Sequence, residues 1–292
     1  MKLACYGSRG SLPTPSTPTS STATYGGNTS CYYLEAGPFR FILDGGSGAR
    51  RLGADLSQQG LGFPGTWVVL LSHFHWDHIQ GLPFFAPLRF PGNTFYFHGL
   101  GSVREKLESQ QQAPNFPVQH SEFPSERSYI DHPRRFSETF WYTYDQGGVA
   151  YARRQMLGDQ AIKVTTIPLN HPNGCLGYRI EYMGKVLVYA TDNEPLRHPN
   201  TRLTQLAQGA DLLIMDGQYT EEQLADSTQG YGHGSPESCV EQAKLCGAKK
   251  LIIHHHDPSH GDGTLARMEE KAFSGSPEGW GEFAREGKVW TF

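Results

Sequence analysis

An apolar run from Thr66 to Leu71 passes through Ser72 straight into the pattern H-x-H-x-D-H, formed by His73, His75, Asp77 and His78. On an extended segment, side chains two apart point the same way, so His73 and His75 can share one cation. A turn must then re-aim the adjacent Asp77 and His78, which loads a second cation beside the first. Imidazole and carboxylate donors without a thiolate suit Zn²⁺, with Mn²⁺ and Fe also open. One segment cannot fill two coordination shells, so the chain has to fold with several strands ending at a common edge. Three other strand ends carry suitable residues: His171 after the run 162–167, Asp192 after the run 185–189, and His254, His255 and His256 closing the run that begins at Leu251. A carboxylate such as that of Asp192 can bridge two cations with its two oxygens.

The remaining composition is that of an ordinary globular protein. With 292 residues, 37% hydrophobic and 18% charged, the chain can bury a sizeable core without a disulfide to hold it. A net charge of −4 argues against non-specific binding to a phosphate backbone, which needs a basic surface. No apolar run approaches the ~18 residues of a membrane span. The start, Met1 to Gly7, is too short in apolar residues for a signal peptide, so the cytoplasm is the expected compartment. Five scattered cysteines (Cys5, Cys31, Cys175, Cys239, Cys246) form no C-x-x-C pair and are expected to be small core residues.

Strands are expected at 30–34, 40–43, 66–71, 94–98, 162–167, 176–182, 185–189, 212–215 and 251–254. Helices are expected at 47–58, at 102–112 with Ser102 as N-cap, and at 235–246. The last has the clearest signals: Ser235 as N-cap, Pro236 at the first helical position, and Gly247 as the stop. This mixture suggests an α/β sandwich instead of a regular βαβ repeat. The stretch 124–148, polar and aromatic without a strong period, reads as an insertion, a lid or a dimer contact.

Taken together, these residues resemble the motifs of the metallo-β-lactamase superfamily: Asp44 in the run Leu43 to Gly48, the H-x-H-x-D-H, then His171, Asp192 and His255. The resemblance covers nearly the whole chain. It implies an α/β fold, a four-layer αββα sandwich in a single domain over 1–292, with two divalent metal ions at one edge of the sheets. By that resemblance, His73, His75, His171 and Asp192 hold the first metal; Asp77, His78, Asp192 and His255 hold the second. Among the three consecutive histidines, His255 is chosen because similar members place the ligand two residues before an Asp-Pro pair, here Asp257-Pro258, with His256 the alternative. Asp257 is then an expected hydrogen-bond acceptor, and Asp44 is expected to orient a metal-bound water or a ligand histidine.

The segment Gly230 to Ser235 resembles the G-H-S-T of tRNA 3′-end endonucleases and of cyclic phosphodiesterases of this fold, with Gly234 and Ser235 where that pattern has Ser and Thr. The opening Gly7 to Ser11 and the run Tyr25 to Cys31 resemble a bacterial branch of the same proteins. The resemblance implies that a hydroxide shared by the two metals attacks phosphorus, with Asp77 and His233 as catalytic residues and His233 protonating the leaving oxygen. No Gly-rich or basic docking arm for tRNA is evident. The stretch 124–160 is neutral and rich in aromatics (Tyr129, Phe136, Phe140, Trp141, Tyr142, Tyr144, Tyr151) that could wall a base. The expected substrate is therefore a small phosphodiester, such as a cyclic nucleotide, with nucleic acid less favoured, no membrane partner, and a homodimer left open. A tRNA endonuclease, a thioesterase or lactonase of the same fold, and a scaffold protein are the alternatives.

Overall fold

In the computed structural model, which describes residues 1–60, 64–145, 148–154, 161–195 and 201–292, the apolar runs pair into two sheets. The first contains β1 (Lys2–Gly7), β2 (Cys31–Ala36), β3 (Phe39–Leu43), β4 (Thr66–Leu70), β5 (Thr94–Leu100) and β6 (Glu126–His132), in that order, with β15 (Val289–Thr291) outside β1. The second contains β7 (Glu138–Asp145), β8 (Gly148–Ala152), β9 (Ile162–Leu169), β10 (Cys175–Tyr182), β11 (Lys185–Ala190), β12 (Leu212–Asp216), β13 (Leu251–His254) and β14 (Gly281–Phe283), in the order β14-β13-β12-β11-β10-β9-β7-β8. Strands β3 to β6 run parallel, as do β11 to β14. Seven helices accompany them among the described residues: α1 (Gly48–Gln58), α2 (Trp76–Ile79), α3 (Val103–Gln110), α4 (Thr201–Ala207), α5 (Glu221–Asp226), α6 (Pro236–Cys246) and α7 (Asp262–Phe273). None is long and apolar enough to cross a membrane.

Strand periodicity sorts the side chains into three apolar layers. Val68 and Leu70 of β4, Ile214 of β12 and Ile252 of β13 meet between the sheets. Their neighbours Trp67 and Val69 point outward onto Leu52 and Leu56 of α1 and Val103 and Leu107 of α3. On the far side, Leu213, Met215, Leu251 and Ile253 pack under Leu203 and Leu206 of α4, Val240 of α6 and Leu265 of α7. Strands buried on both faces need continuous apolar runs, which is how 66–71, 212–215 and 251–254 read in the sequence. The result is the expected αββα sandwich.

Three local expectations meet the structure differently. Helix α6 is capped as read: Ser235 Oγ accepts from Ser238 N at 3.1 Å, and Gly247 takes the left-handed conformation. Helix α3 is not capped by Ser102, whose own φ is 53°; Val103 N instead donates to Asp131 Oδ1 at 2.8 Å. The described residues of the stretch 124–148 supply β6, the edge strand of one sheet, and β7, which lies between β9 and the edge strand β8 of the other. Its aromatics occupy separate environments: Tyr129 stacks on Phe97, Phe140 and Tyr142 lie between the sheets, and Phe136 and Tyr144 are exposed.

Outside the site, His120 is a buried neutral imidazole. Its Nδ1–H donates to Gln111 Oε1 (3.1 Å), and its Nε2 accepts from Tyr129 OH (3.0 Å). Burial, aided by Arg127, pushes its pKa down to about 4, whereas in the unfolded chain it titrates near ~6.5. The unfolded state therefore takes up this proton first, and stability is lost as pH falls below ~6.5. We expect His120→Gln to lower the slope of unfolding free energy against pH, measured by urea denaturation near pH 5, by up to ~1.4 kcal/mol per pH unit. An unchanged slope would show that His120 titrates alike in both states.

Candidate metal centre

The carboxyl ends of β3, β4, β9, β11, β12 and β13 all emerge at one edge of the sandwich, because β9 and β11 run the same way on either side of antiparallel β10. Past β4, His75 is still extended (φ −64°, ψ 151°) as the N-cap of the one-turn α2. That turn is what swings the adjacent Asp77 and His78 inward, both of them buried.

Two groups of donors face each other. In the first, His75 Nδ1 lies 3.1 Å from His171 Nε2, and the His73 ring stands 4.4 Å from that of His75 and 4.7 Å from that of His171. In the second, His255 Nε2 lies 3.1 Å from both Asp77 Oδ2 and His78 Nε2. Asp192 Oδ2 joins them, 3.6 Å and 3.8 Å from the Nε2 atoms of His73 and His171, and 3.4 Å from those of both His78 and His255.

Neighbouring acceptors set the tautomers. The Nδ1–H of His171 donates to Gly232 O (2.9 Å), that of His78 to Asp44 Oδ2 (2.7 Å), and that of His255 to Gln218 Oε1 (2.8 Å). Each remaining Nε2 is then a lone pair aimed at the centre. His78 and His255 thus point two lone pairs at each other, and the buried His73 Nε2 has no hydrogen-bond partner among the described residues. A divalent cation at the centre would satisfy these nitrogens together, in place of the proton that, against the cost of burial, Asp192, Asp77 and Asp44 favour on His78. Among the described residues the converging donors are imidazole nitrogens and carboxylate oxygens with no cysteine sulfur; the set fits divalent zinc, manganese or iron.

The electrostatics agree. Burial pushes the pKa values of His73, His75 and His171 down, keeping them neutral. Burial also disfavours ionised Asp77 and Asp192, but His78 and His255 around both hold the two carboxyls well below the usual range.

The three consecutive histidines separate. His255 is in the centre; His254 lies against Tyr32 and Tyr189, and His256 donates from Nε2 to Ala284 O (2.9 Å) and stacks on Phe283. Asp257 is not the expected acceptor, because its carboxylate is engaged by Ser259 N and Oγ; Gln218 takes that role. Asp44, fully buried, accepts from Ser72 N, Ser72 Oγ, Tyr189 OH and His78 Nδ1.

His233 adjoins the cluster. Its Nδ1 is 2.7 Å from Asp216 Oδ2 and 3.9 Å from Asp192 Oδ2, and its ring stacks on His255 at 4.9 Å. Burial by itself lowers its pKa, but the Asp216 carboxylate, with Asp192 and Asp77, raises it to about 9. Glu194 secures this loop by accepting from Gly230 N and Gly232 N at 3.0 Å. Gly232 (φ 90°) must be glycine, since a Cβ there would sit 2.1 Å from His171 Nδ1. Asp216, Gln218 and Glu194 escape a motif-based reading. The signal that could have found Asp216 is the one that singled out Asp192, a carboxylate closing an apolar strand.

Residues 40–256 match the family model described as a beta-lactamase superfamily domain. Ribonuclease Z of Agathobacter rectalis is 25% identical over 249 residues, covering 75% of this chain and 78% of that protein. The probable metallo-hydrolase YhfI of Bacillus subtilis is 26% identical over 265 residues, covering 90% and 92%. Among solved structures, a diphosphatase of the PhnP family superposes with a TM-score of 0.67 over 100% of this chain and 97% of that one, at 17% identity, a likeness of fold. With a family match that spans the metal-centre motifs from Asp44 to His255, the chain belongs to the beta-lactamase superfamily and has the metallo-β-lactamase fold of metal-dependent hydrolases.

Proposed function

We propose that the chain is a phosphodiesterase that hydrolyses a small phosphodiester such as a cyclic nucleotide. The observation that carries this reading is the His233–Asp216 pair, which sets an imidazole beside the cluster, with Nδ1 2.7 Å from Asp216 Oδ2 and 3.9 Å from Asp192 Oδ2. Kinship to a ribonuclease points to the same bond type. His73, His75, His171 and Asp192 would hold one metal ion; Asp77, His78, Asp192 and His255 would hold the other. Bound there, the ions supply Lewis acidity toward phosphoryl oxygens and acidify a water.

The protein's own part is proton transfer and orientation. Asp216 accepts from His233 Nδ1 and supports the imidazolium. The proton on the opposite nitrogen, Nε2, is the one available to the leaving alkoxide as water displaces it from phosphorus. Asp44, Gln218 and the Gly232 carbonyl keep the ligand imidazoles in one tautomer. Kinship to ribonuclease Z supports a second reading, an RNA 3′-end endonuclease. The acidic net charge favours the small substrate. A panel of bis-aryl phosphodiester, 2′,3′- and 3′,5′-cyclic nucleotides and precursor tRNA on metal-loaded protein separates the two; cleavage of precursor tRNA alone would overturn the first.

Elemental analysis should find both metals lost in Asp192→Ala, and His78→Ala should weaken mainly the second site. Equal stoichiometry in wild type and Asp192→Ala would refute the bridge. In the same assay His255→Ala should lose metal, while His256→Ala stays near wild type; the reverse would move the ligand by one residue.

His233→Ala should keep both metals yet lose ~10²-fold or more in activity on a nucleotide substrate, whose alkoxide needs a proton. A nitrophenolate leaves without one, so the loss on an aryl phosphodiester should be far smaller. Equal losses on both, with metals retained, would assign His233 to phosphate binding.

A further inference from the structure

The segment Gly7 to Ser11, which the proposed chemistry does not use, contains a fully buried arginine. Arg9 has no carboxylate partner within ion-pair distance among the described residues. Its Nε donates to Gly26 O (2.8 Å), and its Nη1 donates to Asp257 O (2.9 Å) and His260 O (2.6 Å). A guanidinium spent on three carbonyls is a brace, since its planar fork holds several chain segments at fixed angles. The backbone on either side is tied as well: His256 N donates to Ser8 O and Gly10 N to His256 O, both at 3.0 Å.

The two residues after Arg9 lie directly on the second donor group. Gly10 packs so closely under His255 that a Cβ would sit 2.2 Å from its Nδ1. Ser11 N donates to Asp77 Oδ2 at 2.7 Å, and Ser11 Oγ accepts from Gln218 Nε2 at 3.3 Å, the same Gln218 that fixes His255. The brace therefore grips His255 from its own strand end and Asp77 from the loop. It touches none of His73, His75 and His171; Ser72 holds His73 and the Gly232 carbonyl holds His171.

We propose that Arg9 is the positioning residue of the second metal site, setting His255 and Asp77 at ligand spacing while leaving the first site independent. The proposal rests on the dinuclear reading above. Its test is a Co²⁺ titration of metal-free protein, followed by visible absorption and elemental analysis, on wild type, Arg9→Met, Arg9→Lys and Gly10→Ala. Wild type should bind two ions. Arg9→Met should bind the first with unchanged affinity and the second at least ~10-fold more weakly; Arg9→Lys, which keeps a donor but not the fork, should fall between. Gly10→Ala, which leaves the arginine intact but crowds His255, should show the same selective loss, and it decides the matter with Arg9→Lys if Arg9→Met does not fold. Two wild-type affinities in Arg9→Met, or equal weakening of both sites, would overturn the role of Arg9 and leave the metal reading standing. A wild type that binds no metal would overturn both.

Discussion

The Asp192 carboxylate lies buried where the two sheets end, with nitrogens of five histidines between 3.4 and 3.9 Å from its Oδ2. Leaving a charge unpaired at that depth costs several kcal/mol, so the structure around it is arranged to answer it. The histidines come from separate places: the ends of β4, β9 and β13, the α2 turn, and the loop before α6. They can meet only if those strands end level, which fixes the register of both sheets against each other. Asp44, Asp77 and Asp216 are buried beside it, against His78, His255 and His233, and His73, His75 and His171 stay neutral. The protein alone leaves this cluster short of positive charge, which a divalent cation would supply.

Such convergence strains the backbone. Asp44, Asp192 and His255 follow β3, β11 and β13, and all take left-handed φ values of 56°, 42° and 63°. Non-glycine residues held there typically cost ~1–3 kcal/mol each, a strain that persists only where neighbours over-determine it. Four donors surround the Asp44 carboxylate, Thr191 Oγ1 binds that of Asp192, and the Ser8 and Gly10 bonds pin His256 immediately after His255. Glycines at 10 and 232 follow from the same crowding, since each lies against a histidine ring with no room for a Cβ.

Much of this was legible in the sequence because central strands and metal ligands are written in residue type. Runs such as Leu212 to Met215 are apolar on both faces, and H-x-H-x-D-H has few other uses. The strands at or next to the sheet edges were not legible for the opposite reason. In β6, Glu126 to His132 buries only Ile130 and His132, and in β7 the aromatic run exposes Tyr144 while burying Tyr142, so neither shows an apolar run. Strands β14 and β15 are three residues each, too short for any period. The supporting residues failed for yet another reason. Gln218, Glu194 and Arg9 act by hydrogen bonds to groups as many as 251 positions away in the chain, and no local pattern records a partner that distant.

The three histidines after Ile253 show how one backbone torsion converts a repeat into a site. Alternation along β13 sends Ile252 between the sheets and Ile253 under the helices, so His254 falls back between the sheets against Tyr32 and Tyr189. Continued alternation would put His255 under the helices with Ile253. The left-handed φ of His255 breaks the strand there instead, leaving its ring at the sheet edge among Asp77, His78 and Gln218. His256, one residue later, takes the place under the helix layer, against Tyr25 and Phe283. Identical side chains at consecutive positions thus become a core residue, a candidate ligand and an outer-layer packing residue, and what separates them is the single backbone turn braced by Ser8 and Gly10.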